Sequence, residues 1–169
     1  MVIWIIGLSG AGKTTLASHV VEDVRKRGKK VVLLDGDIVR DLYENDLGHD
    51  LRDRLKNANR ICRLCQFLDR QGLDVVCAIL SIFPQSREWC KQNLSKFHEV
   101  FIDCPINELR ERDSKGIYLK HERGEIKNVA GLDLEFIKPE NPDLYIHNNS
   151  NLENLLSNTS TIVNKFILN

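Results

Sequence analysis

Apolar residues along this chain gather in five short runs, and the stretches between them carry a different, helical spacing. The first run, Val2 to Ile6, ends at glycine, and after it Leu16, Val20, Val21 and Val24 recur on one helical face. A buried strand feeding a helix is the expected pair. The second run, Lys30 to Leu34, ends in Asp35-Gly36-Asp37, and the third, Leu73 to Leu80, ends at Ser81. Glu99 to Asp103 and Leu144 to Ile146 are the fourth and fifth. Between the second and third, Ile61, Leu64, Cys65 and Leu68 make a one-sided stripe that predicts a helix from about Asp50 to Gln71. Strands alternating with helices imply right-handed crossovers, so the expected fold is α/β, a parallel β-sheet sandwiched by helices.

Two stretches fit that rhythm less well. From about Asp113 to Leu132 there is no clean period, and Lys115, Lys120, His121, Arg123 and Lys127 crowd together just after Arg110 and Arg112. Glycines at 116, 124 and 131 offer hinges, so a basic lid over residues 113–132 is expected, with a solvated surface loop as the plainer alternative. Beyond His147 the chain is rich in asparagine, with Leu152, Leu155, Leu156, Ile162, Val163 and Phe166 interleaved. A last helix packing its apolar side on the sheet is expected there.

Composition narrows the function. At 169 residues, 1–169 is expected to be one domain, long enough to bury a real core. Lys plus Arg equals Asp plus Glu at 24 each, so no overall field argues for a nucleic acid polymer or a membrane surface. No run approaches the roughly 18 apolar residues of a membrane span, and the first residues read as a strand instead of a basic-then-apolar signal. A cytoplasmic enzyme is the expectation. The five cysteines are an odd number, and Cys62 and Cys65, although spaced C-x-x-C, sit inside the helical stripe with no second pair at zinc spacing. Buried thiols are expected, with metal or redox chemistry as the alternative.

The candidate chemistry lies between the first strand and its helix. Gly7 to Thr14 fit the pattern of a glycine, four residues, then Gly-Lys-Ser/Thr, in the strand-loop-helix context that gives that pattern its meaning. The glycines let backbone N–H groups turn inward, so Gly7, Ser9, Gly10, Ala11, Gly12, Lys13, Thr14 and Thr15 are the expected phosphate-binding set. Lys13 would reach the β- and γ-phosphates of ATP, and the Thr14 hydroxyl would ligate Mg²⁺. A P-loop kinase-like sheet follows, and in such sheets ligands bind beyond the carboxyl ends of the strands. Asp35, Asp37 and Ser81 stand at those ends. Two aspartates so spaced can serve a metal-bound water and an incoming hydroxyl; helix capping is the alternative for Asp37.

These motifs, with Asp-Leu-Gly at 46–48, Arg54 and Asn57, Arg-Asp-x-Lys-Gly-x-Tyr at 112–118, Gly-Glu-Ile-Lys-Asn at 124–128, Gly-x-Asp at 131–133 and Pro-Glu-Asn-Pro at 139–142, resemble adenylylsulfate kinase over nearly the whole chain. The resemblance implies transfer of the ATP γ-phosphoryl group to the 3′-hydroxyl of a nucleotide with an activated 5′-phosphate. It implies that Asp37 orients or deprotonates that hydroxyl and that Asp35 helps hold Mg²⁺. Arg40, Arg54 and Asn57 would hold the acceptor, Arg112 would lie against the ATP adenine, and Lys115 and Lys127 would belong to the lid. Ser81 matches a family serine of open role. A homodimer is a further implication.

Departures bear on the acceptor. Where the family has aromatics after Asp-Leu-Gly and after Ile-Lys-Asn, sandwiching an adenine, this chain has His49 and Val129. Stacking a base on an aromatic is worth about 1–3 kcal/mol, so the purine clamp is expected to be rebuilt. After the third strand it reads Ser81-Ile82-Phe83-Pro84, where the family has Ser-Pro, an aromatic and a basic residue. The pattern resembles the cytidine diphosphoramidate kinase branch of bacterial capsule modification, in which the acceptor is a cytidine nucleotide. Ordinary adenylylsulfate kinase is the runner-up. A non-catalytic ATP-binding regulator and a small-metabolite kinase are the remaining alternatives.

Overall fold

The apolar runs become the strands Val2–Ile6 (β1), Val31–Asp35 (β2), Asp74–Ile79 (β3), Phe97–Asp103 (β4) and Leu144–His147 (β5). In this computed structural model, which describes residues 1–168, they form one parallel sheet in the order β2-β3-β1-β4-β5. The helices between them are Lys13–Lys26 (α1), Gly36–Leu42 (α2), Leu51–Arg70 (α3), Pro84–Asn93 (α4), Ile106–Arg112 (α5) and Ile117–Glu122 (α6). Alternation along the central strand splits the core. Val2, Trp4 and Ile6 enter a layer with Ile61, Cys65 and Cys90, whereas Ile3 and Ile5 enter one with Leu16, Val20 and Val24.

Local chemistry sets the helix ends. Asp50 caps α3, its carboxylate accepting from Asp53 N at 2.8 Å, and Pro84 occupies the first turn of α4, where a missing N–H is harmless. The helix expected from about Asp50 to Gln71 is therefore present within a residue at each end.

The segment 113–132 contains α6, whose two turns are too short to show a period, and whose Tyr118 is buried. One expectation is corrected: the tail is not one helix. It breaks into Leu152–Leu156 (α7), Asn158–Ile162 (α8) and a wider π-type turn, Val163–Ile167. The asparagine-rich composition is the reason: Ser157 Oγ and Asn158 Nδ2 donate to the Asn154 carbonyl at 2.8 and 3.0 Å, competing with the helix's own ladder. Ile162 and Val163 are nonetheless fully buried against the sheet and α1, and Phe166 stacks on His98 at 4.4 Å. All five cysteines are free and buried, with the Sγ atoms of Cys62 and Cys90 3.7 Å apart.

Candidate active site

The loop between β1 and α1 is held by close approaches. A Cβ on Gly7 would lie 2.8 Å from the Ile102 carbonyl oxygen, and one on Gly12, at φ +92°, would lie 2.5 Å from Leu155 Cδ2. The first N–H groups of α1 have no helical acceptor, which leaves them for an anion. Two side chains fix the carbonyls on the other side of the loop. Asn148 Nδ2 donates to Ala11 O at 3.0 Å, and the Tyr118 hydroxyl donates to Ser9 O at 2.8 Å. Lys13 Nζ donates to Leu8 O at 2.8 Å, and burial, helped by Lys115, pulls its pKa down to about 8.

The strand-end carboxylates have separate tasks. Asp35 Oδ2 accepts from Thr14 Oγ1 at 2.6 Å, and its Oδ1 accepts from Asp37 N at 2.8 Å, so Asp35 is the residue that caps α2. Asp37, for which capping was the alternative, keeps its side chain 68% exposed and paired with Lys115 from the lid. Burial alone would push the Asp37 carboxyl up. Lys115, with Lys13 and Arg40 beyond it, overcomes that and holds it below its ordinary value. Thr14 and Asp35 are hard oxygen donors of the kind Mg²⁺ takes, so the pair fits that ion.

One cleft of about 190 Å³ collects most of the expected residues. Ser9, Lys13, Thr14, Asp35, Asp37 and Lys115 line it, as do Arg40, His49, Arg54, Asn57, Ser81 and Val129. Thr15, Arg112 and Lys127 lie outside the lining. Arg112 instead donates to the Ser150 carbonyl at 3.1 Å, beyond the end of β5. Gly7, Gly10, Ala11 and Gly12 contribute backbone to the loop.

The half of the cleft away from the loop is built largely on backbone carbonyls. Arg40 Nη1 donates to Leu47 O and Gly48 O at 2.9 and 3.0 Å. Arg54 Nε donates to His49 O at 2.7 Å and its Nη2 to Asn128 O at 2.9 Å. Burial, then the charges of Arg40 and Arg54, lower the His49 pKa, so the imidazole is neutral near pH 7. Asn57 is 7% exposed and its Oδ1 has no hydrogen-bond partner. Ser81 sits at φ +54°, a strained value for serine, and is pinned there by Arg87 Nη1 on its carbonyl at 2.9 Å. Arg87 is held in turn by buried Glu99, 3.4 Å from its Nε.

Three contributors escaped the sequence reading. Phe83 lines the cleft from the turn after β3, and it could have been found because it follows the strand-end Ser81 by two residues. Asn148 is the first residue past β5, where the strand-end rule also applies. Asp133, inside the Gly-x-Asp motif, accepts from Asn128 N and Val129 N at 2.8 and 2.7 Å and so shapes the lid wall.

A parallel sheet in this order, with a glycine-rich loop joining its central strand to a helix, defines a P-loop kinase fold. The family model described as adenylylsulphate kinase matches residues 1–147, and the chain belongs to that family. An adenylyl-sulfate kinase of Deinococcus deserti is 42% identical over 145 residues, 86% of this chain and 80% of that protein. The cytidine diphosphoramidate kinase of Campylobacter jejuni is 37% identical over 170 residues, 99% of this chain and 96% of that protein. Among solved structures, the adenylylsulfate kinase of Mycobacterium tuberculosis in complex with AMPPNP and APS superposes with a TM-score of 0.88 at 29% identity, covering 96% of this chain and 95% of that one. This chain is thus a nucleotide kinase of a family that uses ATP and phosphorylates a hydroxyl. No helix among the described residues is long and apolar enough to cross a membrane.

Proposed function

We propose that this enzyme transfers the γ-phosphoryl group of Mg²⁺-ATP to the 3′-hydroxyl of a 5′-activated cytidine nucleotide, cytidine diphosphoramidate, in capsule modification. The observation that carries the reading is the pair His49 and Val129 in the cleft lining, where the family's adenine sandwich would need two aromatic faces. Support also comes from the Campylobacter kinase, whose match runs almost end to end in both chains.

The residues divide the work as phosphoryl transfer requires, by positioning and charge neutralisation. Backbone N–H groups of residues 9–14 and the Lys13 ammonium hold the β- and γ-phosphates. Thr14 and Asp35 would hold Mg²⁺, which would supply neutralisation of charge on the transferred group. Asp37 accepts a hydrogen bond from the 3′-hydroxyl; its lowered pKa suits a residue that orients this hydroxyl more than one that takes its proton early. Arg54 lies close enough to Arg40 to feel its charge, an arrangement that favours an anion such as the acceptor phosphates. The unpartnered Asn57 Oδ1 is completed by a donor from the acceptor, since a buried acceptor left unmade costs about 1–3 kcal/mol.

Adenylylsulfate is the second reading, favoured by the 42% identity to the Deinococcus enzyme. The test is turnover of cytidine diphosphoramidate with Mg²⁺-ATP, followed by phosphorus NMR of the product. A new phosphomonoester on the 3′-oxygen is expected. Turnover of adenylylsulfate alone would replace the first reading by the second.

A further inference from the structure

His49 and Val129 belong to segments far apart in the chain, one between α2 and α3 and the other in the lid after α6, yet they meet in one cleft. The lid segment is shaped internally. Asn128 takes φ +63°, a conformation asparagine tolerates better than most residues, and Asp133 closes the turn by accepting both the Asn128 and Val129 N–H groups. His121 Nε2, on α6, stands 3.3 Å from the same carboxylate. The result is a preformed wall whose Val129 is only 4% exposed. Nothing in that loop alone sets how far this wall stands from the His49 side.

Arg54 supplies that link. Its Nε donates to the carbonyl of His49, and its Nη2 donates to the carbonyl of Asn128, the residue directly before Val129. One planar guanidinium therefore ties both carbonyls at 2.7 and 2.9 Å, across 74 residues of sequence on the lid side. We propose that Arg54 is a positioning residue that fixes the separation of the two walls of the acceptor-base pocket, and through that separation sets which base is accepted. The inference rests on the proposed function in taking His49 and Val129 as the walls that face the base. It adds a role distinct from attraction of the acceptor phosphates. A charge at position 54 would serve every acceptor alike, whereas a fixed spacing discriminates between rings of different size.

A lysine can replace the charge but not the fork, because a single ammonium cannot reproduce the rigid, diverging pair of N–H donors. Arg54→Lys thus separates the two roles. The measurement is kcat/KM for cytidine diphosphoramidate and for adenylylsulfate, together with KM for ATP, in the wild type and in Arg54→Lys. The expected result is a change of at least about tenfold in the ratio of the two acceptor values, with ATP KM unchanged. An equal loss on both acceptors, at a constant ratio, would mean that only the charge matters and would overturn the proposal. A wild-type preference for adenylylsulfate would overturn the cytidine reading alone, because a changed ratio in either direction still reports the walls. Amide exchange gives an answer independent of turnover: residues 126–133 should exchange faster in Arg54→Lys while α1 does not change, and unaltered exchange there would also overturn the proposal. Asp133→Asn loosens the same wall from its other side and should move the acceptor ratio in the same direction.

Discussion

At the scale of single residues, charge and geometry in the cleft make specific demands. Lys13, with a pKa near 8 against an ordinary 10.5, loses its charge as pH rises through 8. ATP phosphates favour the charged form, so binding should draw in a proton, and KM for ATP should climb above about pH 8. Calorimetry in buffers of different ionisation enthalpy would register that uptake; none between pH 8 and 9 would contradict the burial argument. The sign for stability is opposite. Between pH 8 and 10.5 the unfolded chain holds the proton that the folded chain has released, so this group adds stability as pH rises. Asp37→Ala should lower kcat by roughly 10²–10⁴-fold while ATP affinity, measured separately, holds; unchanged turnover would remove Asp37 from the reaction. Asp35 and Asp37 could be read from the chain as strand-end carboxylates, and the resemblance assigned them different roles, but which of them caps α2 could not be read, because one hydrogen bond decides it. Likewise Arg54 and Asn57 were legible as polar residues in a motif, whereas one of the two carbonyl partners of Arg54, that of Asn128, comes from a segment 74 residues away.

Elements fix what individual side chains cannot. The strand–loop–helix at the start of the chain was legible because strand, glycines and helical stripe adjoin in sequence. The lid was legible only as a basic stretch with glycine hinges, since α6 is six residues long and its periodicity is too brief to register. Its seat on the phosphate loop is a single hydrogen bond, Tyr118 Oη to Ser9 O, from an otherwise buried ring. Tyr118→Phe removes that bond and keeps the packing. A bond of this kind contributes about 0.5–1.5 kcal/mol, so KM for ATP should rise roughly two- to tenfold with little loss of thermal stability. An unchanged ATP KM would show that the lid positions the loop by packing alone. The turn after β3 has the converse design, a strained Ser81 held by Arg87 and Glu99 beneath the cleft, and no local sequence signal announces a long-range ion pair.

Over the whole molecule, the parallel order β2-β3-β1-β4-β5 brings the ends of β1, β2 and β3 to one cleft, and the tail returns to close the far side of the phosphate loop. The sheet was legible from the alternation of strands and helices, because crossover handedness leaves few orders open. The tail's broken path was not, since it depends on asparagine and serine side chains competing for backbone carbonyls. Its anchoring is testable: Ile162 is fully buried, and Ile162→Ala should cost roughly 2–5 kcal/mol in denaturant unfolding. A negligible cost would mean the tail packs without supporting the core. Substrate choice belongs to this scale too, because its two walls come from opposite halves of the chain. His49→Phe with Val129→Phe should restore a stacking sandwich and shift preference towards adenine nucleotides by about 10- to 100-fold; loss of the original activity without any gain on adenylylsulfate would show the clamp argument to be incomplete. The most direct measurement of the central claim is a competition in one vessel, with limiting Mg²⁺-ATP and equal cytidine diphosphoramidate and adenylylsulfate, reading the two 3′-phosphorylated products by phosphorus NMR. The cytidine product should dominate from the earliest time point. Dominance of 3′-phosphoadenylylsulfate would contradict it and return the chain to sulfate activation.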